Sequence, residues 1–152
     1  LRVPHPEASW HISRVLDFGA AAVLVPMVET AENVRAAVDS FYYPPIGNRS
    51  CGLGKAYGYA PSQDARSYAD WWNANGILAL QIETVRAVRE IRKLILPGVD
   101  LILFGGVDLS FSLEATPDCP FASVAACMAH VVEQTQGFDV RIGASNLPFG
   151  RF

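Results

Sequence analysis

Glu83 and Asp108 are the residues best placed to do chemistry together. Each ends a short apolar run, "ILALQIE" (77–83) and "DLILFGGVD" (100–108). They lie 25 residues apart, the length of one strand–helix unit, so a parallel sheet would set them on adjacent strand ends. Two nearby acids with no compensating base repel and raise one pKa. A divalent cation removes that repulsion, and hard carboxylate oxygens select Mg²⁺ or Mn²⁺ over zinc. Taken singly, each acid also fits a plainer role at a helix start, stabilised by the dipole. The pair favours a metal site, because Gly105 and Gly106 expose backbone N–H groups just ahead of Asp108. The turn Gly105–Gly106–Val107–Asp108 could hold an anion such as a carboxylate. It reads equally well as an ordinary tight βα turn.

Other strand ends carry Arg2, then Pro26, Glu29 and Thr30, then Gln81. Arg2 could donate two parallel hydrogen bonds to a carboxylate or enolate oxygen. From spacing alone it reads as a solvated arginine. His5, His11 and His130 show no ligand spacing, and His130 falls on an apolar helix face as a packing or surface residue. Cys51, Cys119 and Cys127 are odd in number and lack metal-type spacing, which suits reduced thiols of a cytoplasmic protein. No histidine is placed to activate Cys51 as a nucleophile.

These side chains need elements to hold them. "GAAAVLVPMV" (19–28) predicts a buried strand. "TAENVRAAVDSFY" (30–42) predicts a helix with a Thr30 N-cap. "DARSYADWWNANG" (64–76) predicts a short helix closed by Asn75-Gly76, in which Trp71 and Trp72 fit core packing better than an interface. A strand over 77–83 leads to a helix ended by Pro97-Gly98. A strand over 100–106, a helix over 120–137 and a strand over 139–144 follow. Residues 43–62 form a long Pro/Gly loop, of the kind that is usually functional or mobile. Continuous apolar strands alternating with helices indicate an α/β chain with a parallel sheet buried on both faces. An open sheet and part of a (β/α)₈ barrel fit that pattern equally.

The chain has 152 residues, 51% hydrophobic and 18% charged, with a net charge of −3. That suits a single domain over 1–152 and argues against nucleic acid or an anionic membrane as partner. No apolar run reaches the roughly 18 residues of a membrane span. "LRVPHPE" resembles the tail of a fifth strand rather than a terminus, and "NLPFGRF" has no element after it, as expected for a piece of a longer chain.

Five stretches in order, "RVP", "RVLDFGAAAVLVPMVETAE", "YYPPIGNRSCG", "LQIET" and "PGVDLILFGGVDLS", resemble the HpcH/HpaI aldolase family. These are metal-dependent, class II pyruvate aldolases on a TIM barrel, related to the β-subunit of citrate lyase. The match runs from Leu1 to about Leu113. It implies a partial (β/α)₈ barrel, roughly strands 3 to 7, and an aldehyde-lyase that makes or cleaves 4-hydroxy-2-oxo acids through a pyruvate enolate. The implied cofactor is Mg²⁺ or Mn²⁺, with Co²⁺ possible, bound by Glu83 and Asp108. Arg2 matches the arginine that holds the keto oxygen and stabilises the enolate. Gly105, Gly106, Val107 and Asp108 match the segment whose amides bind the substrate carboxylate. Asp17 matches an aspartate of the acid/base machinery, often acting across a subunit contact. Arg49 lies in a hallmark loop and fits a structural role. The resemblance also implies pyruvate or another 2-oxo acid and an aldehyde as substrates, and a homo-oligomer, commonly a hexamer.

Two departures stand out. The family commonly has Gly-Pro where this chain has Gly105-Gly106-Val107, which loosens the turn. The family barrel spans about 250 residues, and its first two strands, with a catalytic histidine, have no counterpart here. An acyl-CoA lyase of the citrate lyase β/malyl-CoA lyase type, or a non-catalytic remnant, are the alternatives.

Overall fold

The computed structural model describes residues 1–52 and 64–144. The later part of the loop expected over 43–62 and the terminal "NLPFGRF" lie outside the described residues.

Four apolar runs form one parallel sheet in sequence order: β1 (Ala22–Val25), β2 (Ile77–Ile82), β3 (Leu101–Phe104) and β4 (Arg141–Ala144). The tail of a fifth strand is also present. Arg2 bridges Leu24 in parallel, with the Val3 N–H donating to Leu24 O at 3.0 Å and the Leu24 N–H to Leu1 O at 2.8 Å. In the β2–β3 register Ile82 pairs with Phe104, so Glu83 and Gly105 leave the sheet side by side.

Between strands run α1 (Trp10–Asp17), α2 (Ala31–Phe41), α3 (Ala65–Asn75), α4 (Val85–Arg89), α5 (Ile91–Leu94), α6 (Gly106–Glu114) and α7 (Val124–Gln134). Thr30, Thr84 and Ser123 each cap a helix by accepting from the N–H three residues on, at 3.1–3.2 Å. Asp64 caps α3 through Arg66 and Ser67. Such caps each stabilise by about 1 kcal/mol.

The helices cover one sheet face. Val23, Val25, Leu78, Leu80, Ile82, Ile102 and Phe104 are buried in one cluster with Ile12, Leu16, Val34, Phe41, Ile91 and Val131. Full burial of each such side chain is worth roughly 1.5–3 kcal/mol. The expectation of strands buried on both faces is corrected for β1 and β3, where burial alternates: Leu24, Leu101 and Leu103 on the second face are only half-buried. Among the described residues no helix lies over that face to complete their burial.

Three further differences have local causes. The helix expected beyond Thr84 is interrupted at Glu90 (φ −96°, ψ 9°), where the Lys93 N–H closes a tight turn onto Glu90 O at 2.8 Å. Its continuation ends at Leu94, before Gly98 turns the chain with φ +96°. A helix start at Asp108 was one of the roles open to that acid, but no helix was delimited over 106–114, where α6 runs. The apolar residues of α6, Val107, Leu109, Phe111 and Leu113, alternate as in a strand, and only Leu109 is buried. Trp72 is 3% exposed and packs as expected, whereas Trp71 is 57% exposed. Among the described residues no helix is long and apolar enough to cross a membrane.

Candidate active site

Glu83 follows β2 directly and precedes the Thr84 cap, so it is not itself the helix cap that its position suggested. It is 1% exposed. Its Oε2 accepts the Met27 N–H at 2.8 Å, across the adjacent end of β1. Met27 reaches that geometry with φ +51°, in the left-handed region that a long side chain rarely adopts. On the other side stands Gly105. A Cβ there would lie 2.5 Å from Glu83 Cγ and 2.9 Å from its Cδ. Glycine is therefore a requirement of packing at this position, whose φ of −91° any residue could adopt.

Asp108 lies in the first turn of α6, one helical turn beyond Gly105, and is exposed. Burial above all lifts the Glu83 carboxyl above the ordinary carboxylate range. The Met27 N–H opposes the lift, while the neighbouring Asp108 carboxyl adds to it. The guanidinium of Arg2 pulls the other way, which puts that cation near the same carboxyl. The two acids and Arg2 are thus brought to one end of the sheet. Gln81, two residues before Glu83, adds a buried Oε1 with no hydrogen-bond partner among the described residues.

Helix α6 starts at the same end. Its Leu109 N–H donates to Gly105 O at 2.9 Å. The N–H groups of Gly106, Val107 and Asp108 precede that first intrahelical bond and are the free donors of a helix start. With the helix dipole behind them they favour an anion. Among the described residues no group of three or more His, Cys, Asp or Glu side chains converges, so the cluster is a two-carboxylate one. A cleft of about 610 Å³ between the start of α2 and helices α4 and α5 lies outside this cluster; Glu29 and Arg86 line it and pair with each other at 3.4 Å.

The family model for HpcH/HpaI aldolase/citrate lyase matches residues 1–143. The chain belongs to that family. A hydroxypyruvate/pyruvate aldolase of Paraburkholderia phytofirmans is 34% identical over 149 residues, covering 94% of this chain and 56% of that protein. A 4-hydroxy-2-oxovalerate aldolase of Novosphingobium aromaticivorans is 39% identical over 113 residues, 72% of this chain and 41% of that one. The crystal structure of an HpcH/HpaI aldolase from Desulfitobacterium hafniense superposes with a TM-score of 0.82 at 30% identity, covering 94% of this chain and 55% of that one. The chain therefore spans about half the length of the relatives it matches, and its parallel sheet corresponds to part of their TIM-barrel-like fold.

Asp17 is not brought to the Glu83 end within one chain of this HpcH/HpaI family member. It ends α1 just ahead of β1, at the N-terminal end of the parallel strands and so opposite the end that carries Glu83, where its Oδ1 accepts from Arg49 Nη2 at 3.0 Å. His130 contacts the Phe121 ring, 4.9 Å between centroids, as a packing residue would. Cys51, Cys119 and Cys127 are free thiols. Sequence reasoning missed Met27, whose contribution is a backbone N–H that no side-chain pattern announces. It also missed the close approach at Gly105, for which the Gly-Gly pair was the available signal.

Proposed function

We propose that the protein acts as a divalent-metal-dependent pyruvate aldolase, a carbon–carbon lyase that makes or cleaves 4-hydroxy-2-oxo acids. The observation that carries this reading is the Glu83–Asp108 pair beside the start of α6, on adjacent ends of parallel strands. The aldolase names of the relatives support it, and those names do not favour the acyl-CoA lyase alternative.

The residues present fit an Mg²⁺ or Mn²⁺ ion. One Glu83 oxygen is held by Met27, and the carboxyl is pressed toward protonation by burial and by Asp108. A hard cation shared by the two acids relieves that pressure, and such ions commonly take one or two protein carboxylates with water and substrate oxygens. When bound, the ion supplies Lewis acidity for a keto oxygen.

The chain's own groups divide the remaining work. The α6 amides of Gly106, Val107 and Asp108 hold the carboxylate of the oxo acid, which fixes its orientation. Arg2 places positive charge where the enolate oxygen develops. Gln81 offers its unpartnered amide oxygen beside them. Asp17 faces away from these groups, so its part in proton transfer requires a neighbouring subunit of a homo-oligomer. Substrates of this reading are pyruvate or a related 2-oxo acid and an aldehyde.

The test is pyruvate release from a 4-hydroxy-2-oxo acid. Cleavage should require Mg²⁺ or Mn²⁺, stop with EDTA, and fall at least about 100-fold in Glu83→Gln. Cleavage that survives both EDTA and this substitution overturns the proposal.

A further inference from the structure

Near the N-terminal end of the strands, away from Glu83, Arg49 pairs with Asp17 and is only 3% exposed. Its guanidinium carbon lies over the Tyr43 and Trp72 rings, 4.7 and 4.8 Å from their centroids. Asp17 takes Nη2, and the Tyr68 hydroxyl interacts with the same group. Nε and Nη1 are buried and have no hydrogen-bond partner among the described residues. Unpaired buried donors on a cation are costly, so such a group calls for a ligand.

A cavity of about 370 Å³ opens beside it, lined by Arg49, Tyr43, Pro44, Ala65, Arg66 and Ala69. Arg66 brings a second guanidinium to the rim. It donates to Pro44 O at 3.2 Å and pairs with Asp70. Among the described residues no acid lines the cavity.

We infer that this cavity binds a small oxyanion, a carboxylate or a phosphate, seated on the free edge of Arg49 with Arg66 at its mouth. A buried planar guanidinium packed on two rings is pre-organised, so little side-chain entropy is lost when it pairs. Its donors match the oxygens of either anion. The Pro44, Ala65 and Ala69 walls leave room for a short apolar tail. The site lies apart from Glu83 and Asp108 of the same chain.

The test titrates the 152-residue protein, freed of metal with EDTA, with sodium pyruvate, sodium propionate or sodium phosphate against sodium chloride at equal ionic strength. Tryptophan fluorescence reports, because Trp72 stacks on Arg49. At least one oxyanion should give a saturable change that chloride does not. Binding should weaken about fivefold or more in Arg66→Gln, which removes one charged contact. It should be lost in Arg49→Lys. Response to pyruvate and propionate alone marks a carboxylate site, and response to phosphate alone marks a phosphate site. No saturable response to any of the three, or equal affinity in Arg66→Gln, overturns the inference. Arg66 is exposed, so Arg66→Gln remains decisive even if Arg49→Lys does not fold.

Discussion

Gly105→Ala probes the tightest packing at the proposed centre. The added methyl would sit 2.5 Å from Glu83 Cγ, where carbon atoms normally stay about 3.5–4.0 Å apart. Backbone strain is not involved, since φ is −91°. Glu83 cannot swing into solvent, because it is 1% exposed, and moving it breaks the 2.8 Å bond from the Met27 N–H. Overpacking costs about 1–3 kcal/mol. Losing a hydrogen bond to a charged group adds about 1.5–3 kcal/mol. The sum, roughly 2.5–6 kcal/mol, should lower the melting temperature by about 5–24 °C for a chain of this size. Displacing one carboxylate should also weaken Mn²⁺ binding and reduce aldol cleavage on the order of 100-fold. Calorimetric melting and Mn²⁺ titration read both effects. Gly52→Ala is the control, because a Cβ there meets nothing within 4 Å. A Gly105→Ala protein that melts within about 1 °C of wild type and keeps its Mn²⁺ affinity would refute the packing argument.

Glu83→Gln should leave the metal-free protein as stable as wild type or more so at neutral pH, because the amide oxygen can still accept from Met27 while the strain with Asp108 disappears. Since the folded carboxyl titrates above its ordinary value of 4.5, metal-free wild type should lose stability relative to this variant as pH rises from 4.5. Parallel urea titrations across pH would show a constant difference if that is wrong. Tyr42 donates to Asp100 Oδ2 at 2.8 Å, and the same oxygen accepts the Leu78 N–H at 2.7 Å. Tyr42→Phe should cost about 1–2 kcal/mol in urea unfolding. Burial first, then Asp100, raises the Tyr42 phenol well above its ordinary value of 10.0, so above pH 10 the unfolded chain sheds a proton that the folded one keeps. Wild type should therefore lose stability above that pH more steeply than Tyr42→Phe, and equal slopes would contradict the assignment. Gly76→Ala should destabilise by about 1–3 kcal/mol, since its methyl would lie 2.8 Å from the Phe41 ring; an unchanged melting temperature would argue against that contact.

Much of the frame was legible because local chemistry and tertiary demand agree. Thr30, Asp64 and Ser123 start helices where a side-chain oxygen precedes an apolar periodicity. The interval from Glu83 to Asp108 placed both acids at one end of a parallel sheet. The extent of helix α6 was hidden because Val107, Leu109, Phe111 and Leu113 alternate like a strand and follow two glycines. The break at Glu90 was hidden because the residues around it are good helix formers. At the site, what escaped the sequence was backbone: the left-handed Met27 that presents its N–H, and the absence of a Cβ at Gly105. The position of Asp17 could have been read from its place just ahead of β1, since a residue leading into a parallel strand lies at the end opposite to Glu83.

The proposed chemistry requires Glu83 and Asp108 to share one divalent ion beside an oxo acid. Mn²⁺ titration followed by electron paramagnetic resonance, with and without pyruvate, tests this most directly. One Mn²⁺ should bind per chain, more tightly and with an altered spectrum once pyruvate is added, and both Glu83→Gln and Asp108→Asn should abolish the site. Mn²⁺ binding that is indifferent to either substitution, or a spectrum that pyruvate leaves unchanged, would contradict it.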